Sequence, residues 1–142
     1  GRSGDSGTGH VIIYMQFGTG GGAADTGSNY SVHYLRGYNG GHGVSVKTAN
    51  GTNISAARIP QEGEDFHCYG TSIVDILDYT NTNKNTTCQF QCWSAKASGE
   101  VGFGSGGWFG GSQGAVDRIK LTMADSWVRG SEFSLYGLGS AN

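Results

Sequence analysis

Apolar and polar positions alternate along much of the chain with a period of two, the spacing of a half-buried strand. Over 29–37, Tyr30, Val32, Tyr34 and Arg36 oppose Ser31, His33 and Leu35. Over 118–123, Ile119, Leu121 and Met123 alternate with Arg118, Lys120 and Thr122. Over 88–93, Cys88, Phe90 and Cys92 oppose Gln89, Gln91 and Trp93. Shorter strands are predicted at 44–48, at 53–59, stopping at Pro60, and within the glycine-dense stretch 96–114, where Glu100 to Phe103 alternate. HVIIYMQF (10–17) is apolar nearly throughout, which predicts a central strand or one covered on both faces. FHCYGTSIVDILDY (66–79) predicts one bent strand or two, with Gly70 as the bend. Ile73, Ile76 and Leu77 also fit a helical turn, but β-branched residues and short length favour a strand.

Turn-forming residues separate these runs. GTGGGAADTG (18–27), YNGGHG (38–43), PQEGED (60–65) and TNTNKNTT (80–87) read as loops, and Asn50-Gly51 predicts a tight hairpin. After the connector ADSWVRGSE, the closing FSLYGL (133–138) places Phe133 and Leu135 on one face and Ser134 and Tyr136 on the other. This predicts a final strand paired inside a sheet, so that deleting 131–142 prevents folding. The total is eight or nine strands with no helix and no fixed-period repeat. The expected fold is an all-β antiparallel jelly-roll-like sandwich of about eight strands, a single domain over 1–142 with a flexible or linker-like 1–9.

Composition supports that reading. Twenty-seven of 142 residues are glycine, and no long glycine-free helical window exists. Seven Tyr, six Phe and three Trp make the chain too aromatic for a disordered linker. The net charge of −2, with scattered Lys and Arg, gives no electrostatic case for nucleic acid. No apolar stretch approaches the roughly 20 residues of a membrane-spanning helix, so no membrane partner is expected. GRSGDSGTGH lacks a hydrophobic core and does not read as a signal peptide. Without an initiator Met, the chain is read either as processed before Gly1 or as the C-terminal part of a longer protein.

Candidate chemistry is sparse. GDSG (4–7) resembles a serine-protease motif, but only five residues precede Ser6, whereas the His and Asp partners should come first. ADTGS (24–28) resembles an aspartic-protease signature, but Gly20–Ala24 replaces the bulky apolar run that buries the catalytic Asp. His10, His33, His42 and His67 show no metal-ligating spacing. Cys88 and Cys92, four residues apart in a strand, are about 13 Å distant and cannot form a disulfide. With Cys68 they read as buried thiols; a site with His67 would need a fourth ligand. Asp75 and Asp78 read either as a carboxylate pair or as edge and turn residues. Glu62, Glu64 and Asp65 read as a solvated acidic loop rather than a calcium site. Asn29, Asn53 and Asn85 begin glycosylation sequons. Neither a cofactor nor a metal is expected. Trp93 and Trp108 read equally as core plugs or exposed anchors; Trp108, Phe109 and Trp127 are the candidate glycan or partner contacts.

The segments ADTGSNYSVHYLRG, ARIP, GTSIVDILDYTNTNKNTT, SGEVGFGSGGWFGGSQGAVDRIKL and GSEFSLYGL occur in that order. This order resembles a broad family of tailed-bacteriophage virion proteins, over about Ile12 to Leu138. DILDYTNTNK and SLYGL are the most specific pieces. The family has further strands ahead of the one at 10–17, and lacks Cys88 and Cys92. The resemblance implies a non-enzymatic protein on the virion surface: a tail-fibre or head-fibre module, or a capsid decoration protein. It implies a homotrimer whose partners are other virion proteins, with host-surface glycans as candidate ligands, and a non-catalytic Asp25. A carbohydrate-binding, lectin-like module, in or out of a phage setting, and a protease or glycan depolymerase, are the alternatives.

Overall fold

The computed structural model describes residues 3–4, 9–38, 42–61, 63, 67–95, 99–110 and 114–139. Asp5 and Ser6, the acidic-loop residues Glu62, Glu64 and Asp65, and the side chain of His42 lie outside them. Eight strands are present: β1 (His10–Thr19), β2 (Tyr30–Tyr38), β3 (His42–Gly51), β4 (Ile54–Pro60), β5 (Gly70–Leu77), β6 (Thr86–Ser94), β7 (Glu100–Trp108) and β8 (Val116–Thr122). They form two antiparallel sheets, ordered β4-β1-β8 and β3-β2-β7-β6-β5. The chain is an all-β sandwich. First strand pairs with last and second with seventh, as in a jelly roll, while β5-β6-β7 is a meander.

The alternation in β2 is the alternation of the sandwich. Tyr30, Val32 and Tyr34 turn toward Met15 and Phe17 of β1, Ile54 and Ala56 of β4, and Cys88 and Phe90 of β6. β1 is apolar throughout because it is the central strand of its sheet and is covered twice. Met15 and Phe17 enter the main core, while Ile13 joins Ala57 and Ile59 in a second cluster under Met123 and Trp127. A bulge makes this possible: Ile13 opposes Ala57 and Tyr14 opposes Ser55, so Ala56 is the extra residue.

At one end of the sandwich Glu100 is buried among cations from both sheets. Its carboxylate lies 2.8 Å from Arg58 Nε, 3.5 Å from Arg36 Nη1 and 3.3 Å from His10 Nδ1. Arg36, read from the sequence as a member of the inward face, is there because it neutralises Glu100.

Four expectations are corrected. Asn50-Gly51 does not close a hairpin: β3 and β4 belong to different sheets. Asn50 takes the left-handed conformation (φ 55°) at an irregularity in the β2–β3 register, and the chain then crosses sheets. The strand read in the glycine-dense stretch from the short alternation at Glu100 to Phe103 is longer than that alternation, nine residues, and is central to the larger sheet. FSLYGL is not a strand: 132–139 joins neither sheet. The sandwich closes without it, because β8 and the connector already complete the two clusters. The expected dependence of folding on residues 131–142 therefore has no basis within one chain. Ser3 and Gly4, placed by the sequence in a linker, are docked instead. Ser3 N donates to Pro60 O (3.1 Å), its hydroxyl to Asp125 (3.0 Å), and Gly4 N to Ser126 O (2.7 Å).

The inner side of β7 has no room for side chains at Gly102, Gly104 and Gly106. A Cβ at Gly104 would stand 2.4 Å from the Phe90 ring and 2.5 Å from Tyr34 Cβ. Gly104→Ala is expected to lower stability by about 1–3 kcal/mol or more, the range for overpacking. Gly43→Ala, with open space around it, should stay within about 0.5 kcal/mol. Urea melts of the two variants check the contrast.

Candidate functional site

Between its buried ends, Glu100 and Trp108, β7 carries only glycine on the inside, so its other side chains point outward. Gly102, Gly104 and Gly106 lie under Cys92, Phe90 with Tyr34, and Ile54 respectively. The alternate positions, Val101, Phe103 and Ser105, stand on the solvent face of the five-stranded sheet. Cross-strand register then assembles a surface. One row runs Leu35, Phe103, Gln91, Ile73 across β2, β7, β6 and β5. The next row, two residues along, runs Gly37, Val101, Trp93, Thr71. On the other side His33, Ser105, Gln89 and Asp75 form a polar row.

Leu35, Phe103 and Ile73 are each 57–60% exposed, and Trp93 and Val101 also face solvent. Beyond the polar row, Leu77 is exposed at the end of β5. Phe109 folds back onto the same face, its ring over Gly107, where an added Cβ would meet it at 2.8 Å. An apolar and aromatic band crosses four strands on a face that none of the other described residues covers. Such contiguous patches mark interaction surfaces.

The three candidate contacts read from the sequence are not brought together. Trp108 is buried, 7% exposed, packed against Phe17 and Tyr30, and is corrected from surface anchor to core plug. Its strand parity is that of Gly104 and Gly106, which face inward. Phe109, the next residue, stays exposed and joins the band. Trp127 is half-buried over the second cluster, with the Phe133 ring edge-on at 4.7 Å. The sequence reading missed Leu35, Phe103, Ile73 and Val101 as surface candidates. Leu35 left a signal, an apolar residue in register with Ser31 and His33 on the polar side of β2.

Asp25, in the protease-like ADTGS, holds the other end of the sandwich together. Its carboxylate accepts from Gly27 N (2.7 Å), Asn29 Nδ2 (2.9 Å) and Trp108 Nε1 (2.7 Å). Its backbone N–H donates to Phe17 O (2.7 Å), and its carbonyl accepts from the Tyr30 hydroxyl (2.9 Å). That hydroxyl also accepts from Phe17 N (3.0 Å), and burial pushes its pKa up to about 12. Burial alone would raise the Asp25 carboxyl, but the hydrogen bonds from Trp108, Asn29 and Gly27 outweigh it and hold the group below its ordinary value. A carboxylate held by three donors is an anchor for the Gly18–Asn29 loop and for Trp108.

The remaining chemistry-bearing residues are dispersed. Cys68, Cys88 and Cys92 are free thiols, Cys88 buried with its pKa raised to about 11 by desolvation. Asp75 is exposed on the edge strand β5, and Asp78 sits in the following turn paired with Lys84 (3.0 Å). His33 Nε2 lies 3.0 Å from Ser45 Oγ, and Asn29 of the first sequon is engaged by Asp25. Among the described residues no group of three or more His, Cys, Asp or Glu is placed to hold a metal ion. Among them, too, no helix is long and apolar enough to cross a membrane.

No family model, no curated protein and no solved structure matches the chain.

The Asp25 anchor makes a pH prediction. Its folded pKa lies below the unfolded value, so its contribution is fully present above the unfolded carboxylate range and is lost as pH falls through the lower folded value. Asp25→Asn is expected to cost about 1–3 kcal/mol at pH 7, since the indole N–H loses a charged acceptor. The variant should also lose less stability than the wild type between pH 5 and pH 2. Urea midpoints across that range check both expectations.

Proposed function

We propose that this chain is a non-enzymatic surface module of a tailed-bacteriophage virion, a tail-fibre or head-fibre module or a capsid decoration protein. It attaches to the particle and assembles as a homotrimer through the solvent face of its five-stranded sheet. The observation that carries this reading is the apolar band of Leu35, Phe103, Ile73, Val101 and Trp93. Fully burying each large apolar side chain is worth roughly 1.5–3 kcal/mol. Self-association covers them without asking for a second protein. A face that meets a different patch on its neighbour generates a ring when the rotation closes.

The phage setting is supported by the ordered segments from ADTGSNYSVHYLRG to GSEFSLYGL. The sandwich is the architecture that resemblance implies. Asp25, the best catalytic candidate, is occupied with holding Trp108 and the loop. Virion attachment is tested by immunogold labelling of particles; label on particles supports it, and label confined to infected cytoplasm refutes it.

A second reading is favoured by one specific feature of the same face. Trp93, Phe103 and Phe109 are exposed there, with Gln89 and Gln91 on the same strand as Trp93 and Gln91 opposite Phe103. Flat aromatic surfaces with amide neighbours stack on sugar rings, so a glycan-binding module is the alternative. The two readings exclude each other on this face, since an interface between subunits is closed to a sugar.

Light scattering decides between them. The wild type should have the mass of three chains, and Leu35→Asp combined with Phe103→Asp should reduce it to one. The double variant should still unfold cooperatively, at a melting temperature lowered only by the lost association and independent of concentration, because both residues lie outside the core of the single chain. A wild type with the mass of one chain at every concentration, combined with glycan binding lost in Trp93→Ala, would establish the second reading instead.

A further inference from the structure

We propose that residues 132–139 are a donated strand, which pairs with the free edge of β8 in a second copy of the chain. The inference rests on the self-association just proposed and names the segment that completes it.

The arm has the sequence of a strand buried on both faces. Phe133 and Leu135 share one parity, Tyr136 and Leu138 the other, so neither face is polar. In the single chain it lies in no sheet. Leu135 is 82% exposed and Leu138 86%, and Tyr136 is comparably open. Four large apolar residues in eight are thus left in water, and the backbone between them lies outside every β-ladder.

β8 is an edge in need of such a strand. Three strands face five, and β8 ends the smaller sheet. Leu121 opposes Met15, which is buried in the main core, so the two side chains share the inward face. Leu121 is nevertheless 38% exposed, which shows that the core side of the sandwich is open at this edge. A fourth strand beside β8 would cover it. Charge agrees: β8 exposes Arg118 and Lys120 alongside Asp117, and Glu132 is the only charged residue of the arm.

The acceptor belongs to another copy because the arm is rooted away from its own β8. The connector leaves β8 at Thr122 and carries Trp127 to the second cluster, where it bridges Ser3 beside Pro60. Phe133 packs on Trp127, and beyond it the arm is exposed to solvent. Every copy carries both an arm and an open β8 edge. Donation from each copy to the next is a head-to-tail contact that can close into a ring.

The test uses the full chain with a photoreactive benzoylphenylalanine in place of Tyr136. Nitrogen-15-labelled and unlabelled chains are unfolded and refolded together, irradiated and digested. Mixed-isotope peptide pairs joining the arm to 116–122 are expected. Photoproducts confined to one chain, directed to other strands, or absent would overturn the proposal. A second variant, Leu135→Asp with Leu138→Asp, should reduce the mass to one chain that still unfolds cooperatively, at a melting temperature lowered only by the lost association. If it retains the mass of three chains while Leu35→Asp with Phe103→Asp does not, the donated strand fails and assembly through the sheet face stands. If the wild type has the mass of one chain at every concentration, both fail.

Discussion

The close approach of neighbouring groups over the inner side of β7 is the constraint on which the rest of this sandwich depends. Gly102, Gly104 and Gly106 present only backbone to the core, and Cys92, Phe90, Tyr34 and Ile54 occupy the space their side chains would need. Between Gly102 and Gly106 the central strand of the larger sheet therefore adds no side-chain volume to the interior, Glu100 and Trp108 entering only at its two ends, and the rings of β2 and β6 meet over it (Tyr34 and Phe90, centroids 6.4 Å apart). The same arrangement accounts for the surface. A strand that is glycine inside carries its apolar residues outside, and Val101 and Phe103 become the middle of an exposed band. Core packing and candidate interface are two faces of one strand.

Polar groups close the two ends of this packing. At one end Asp25 gathers Gly27, Asn29 and the Trp108 indole, while the Tyr30 hydroxyl ties the same loop to the Phe17 backbone. At the other end Glu100 draws Arg58 of β4, Arg36 of β2 and His10 of β1 around itself. Each arrangement joins both sheets, and each would leave a buried charge or donor unpaired if one partner were removed. The sheets are thereby fixed in relative position, while the register of the outer rows is set by strand pairing within the larger sheet.

The fold class and most strands were legible in the sequence because period-two alternation and turn residues report directly on strands that bury one face. The alternation in β2 was read correctly, Arg36 grouped with Tyr30, Val32 and Tyr34, and the apolar run of β1 was read as a central strand or one covered on both faces, and it is central. β7 was undervalued because glycine carries no hydrophobic signal, and its role depends on Phe90 and Ile54, distant in sequence. Asn50-Gly51 misled because a left-handed residue serves a sheet crossing as well as a hairpin. Trp108 could not be assigned by composition; its partner Asp25 lies 83 residues away. The outer band was nearly invisible, since Leu35, Phe103, Ile73 and Trp93 become neighbours only through strand order. Phe133 to Leu138 had the pattern of a strand, but pattern does not say which chain supplies the partner.

The central claim is that the solvent face of the five-stranded sheet is covered in the functioning protein. Hydroxyl-radical footprinting of the native protein over a range of concentrations tests it directly, because Phe103 and Trp93 are reactive side chains that the isolated chain leaves open. The account predicts that both are protected at high concentration and become labelled on dilution, while buried Trp108 stays unlabelled throughout. Full labelling of Phe103 and Trp93 at every concentration would contradict it.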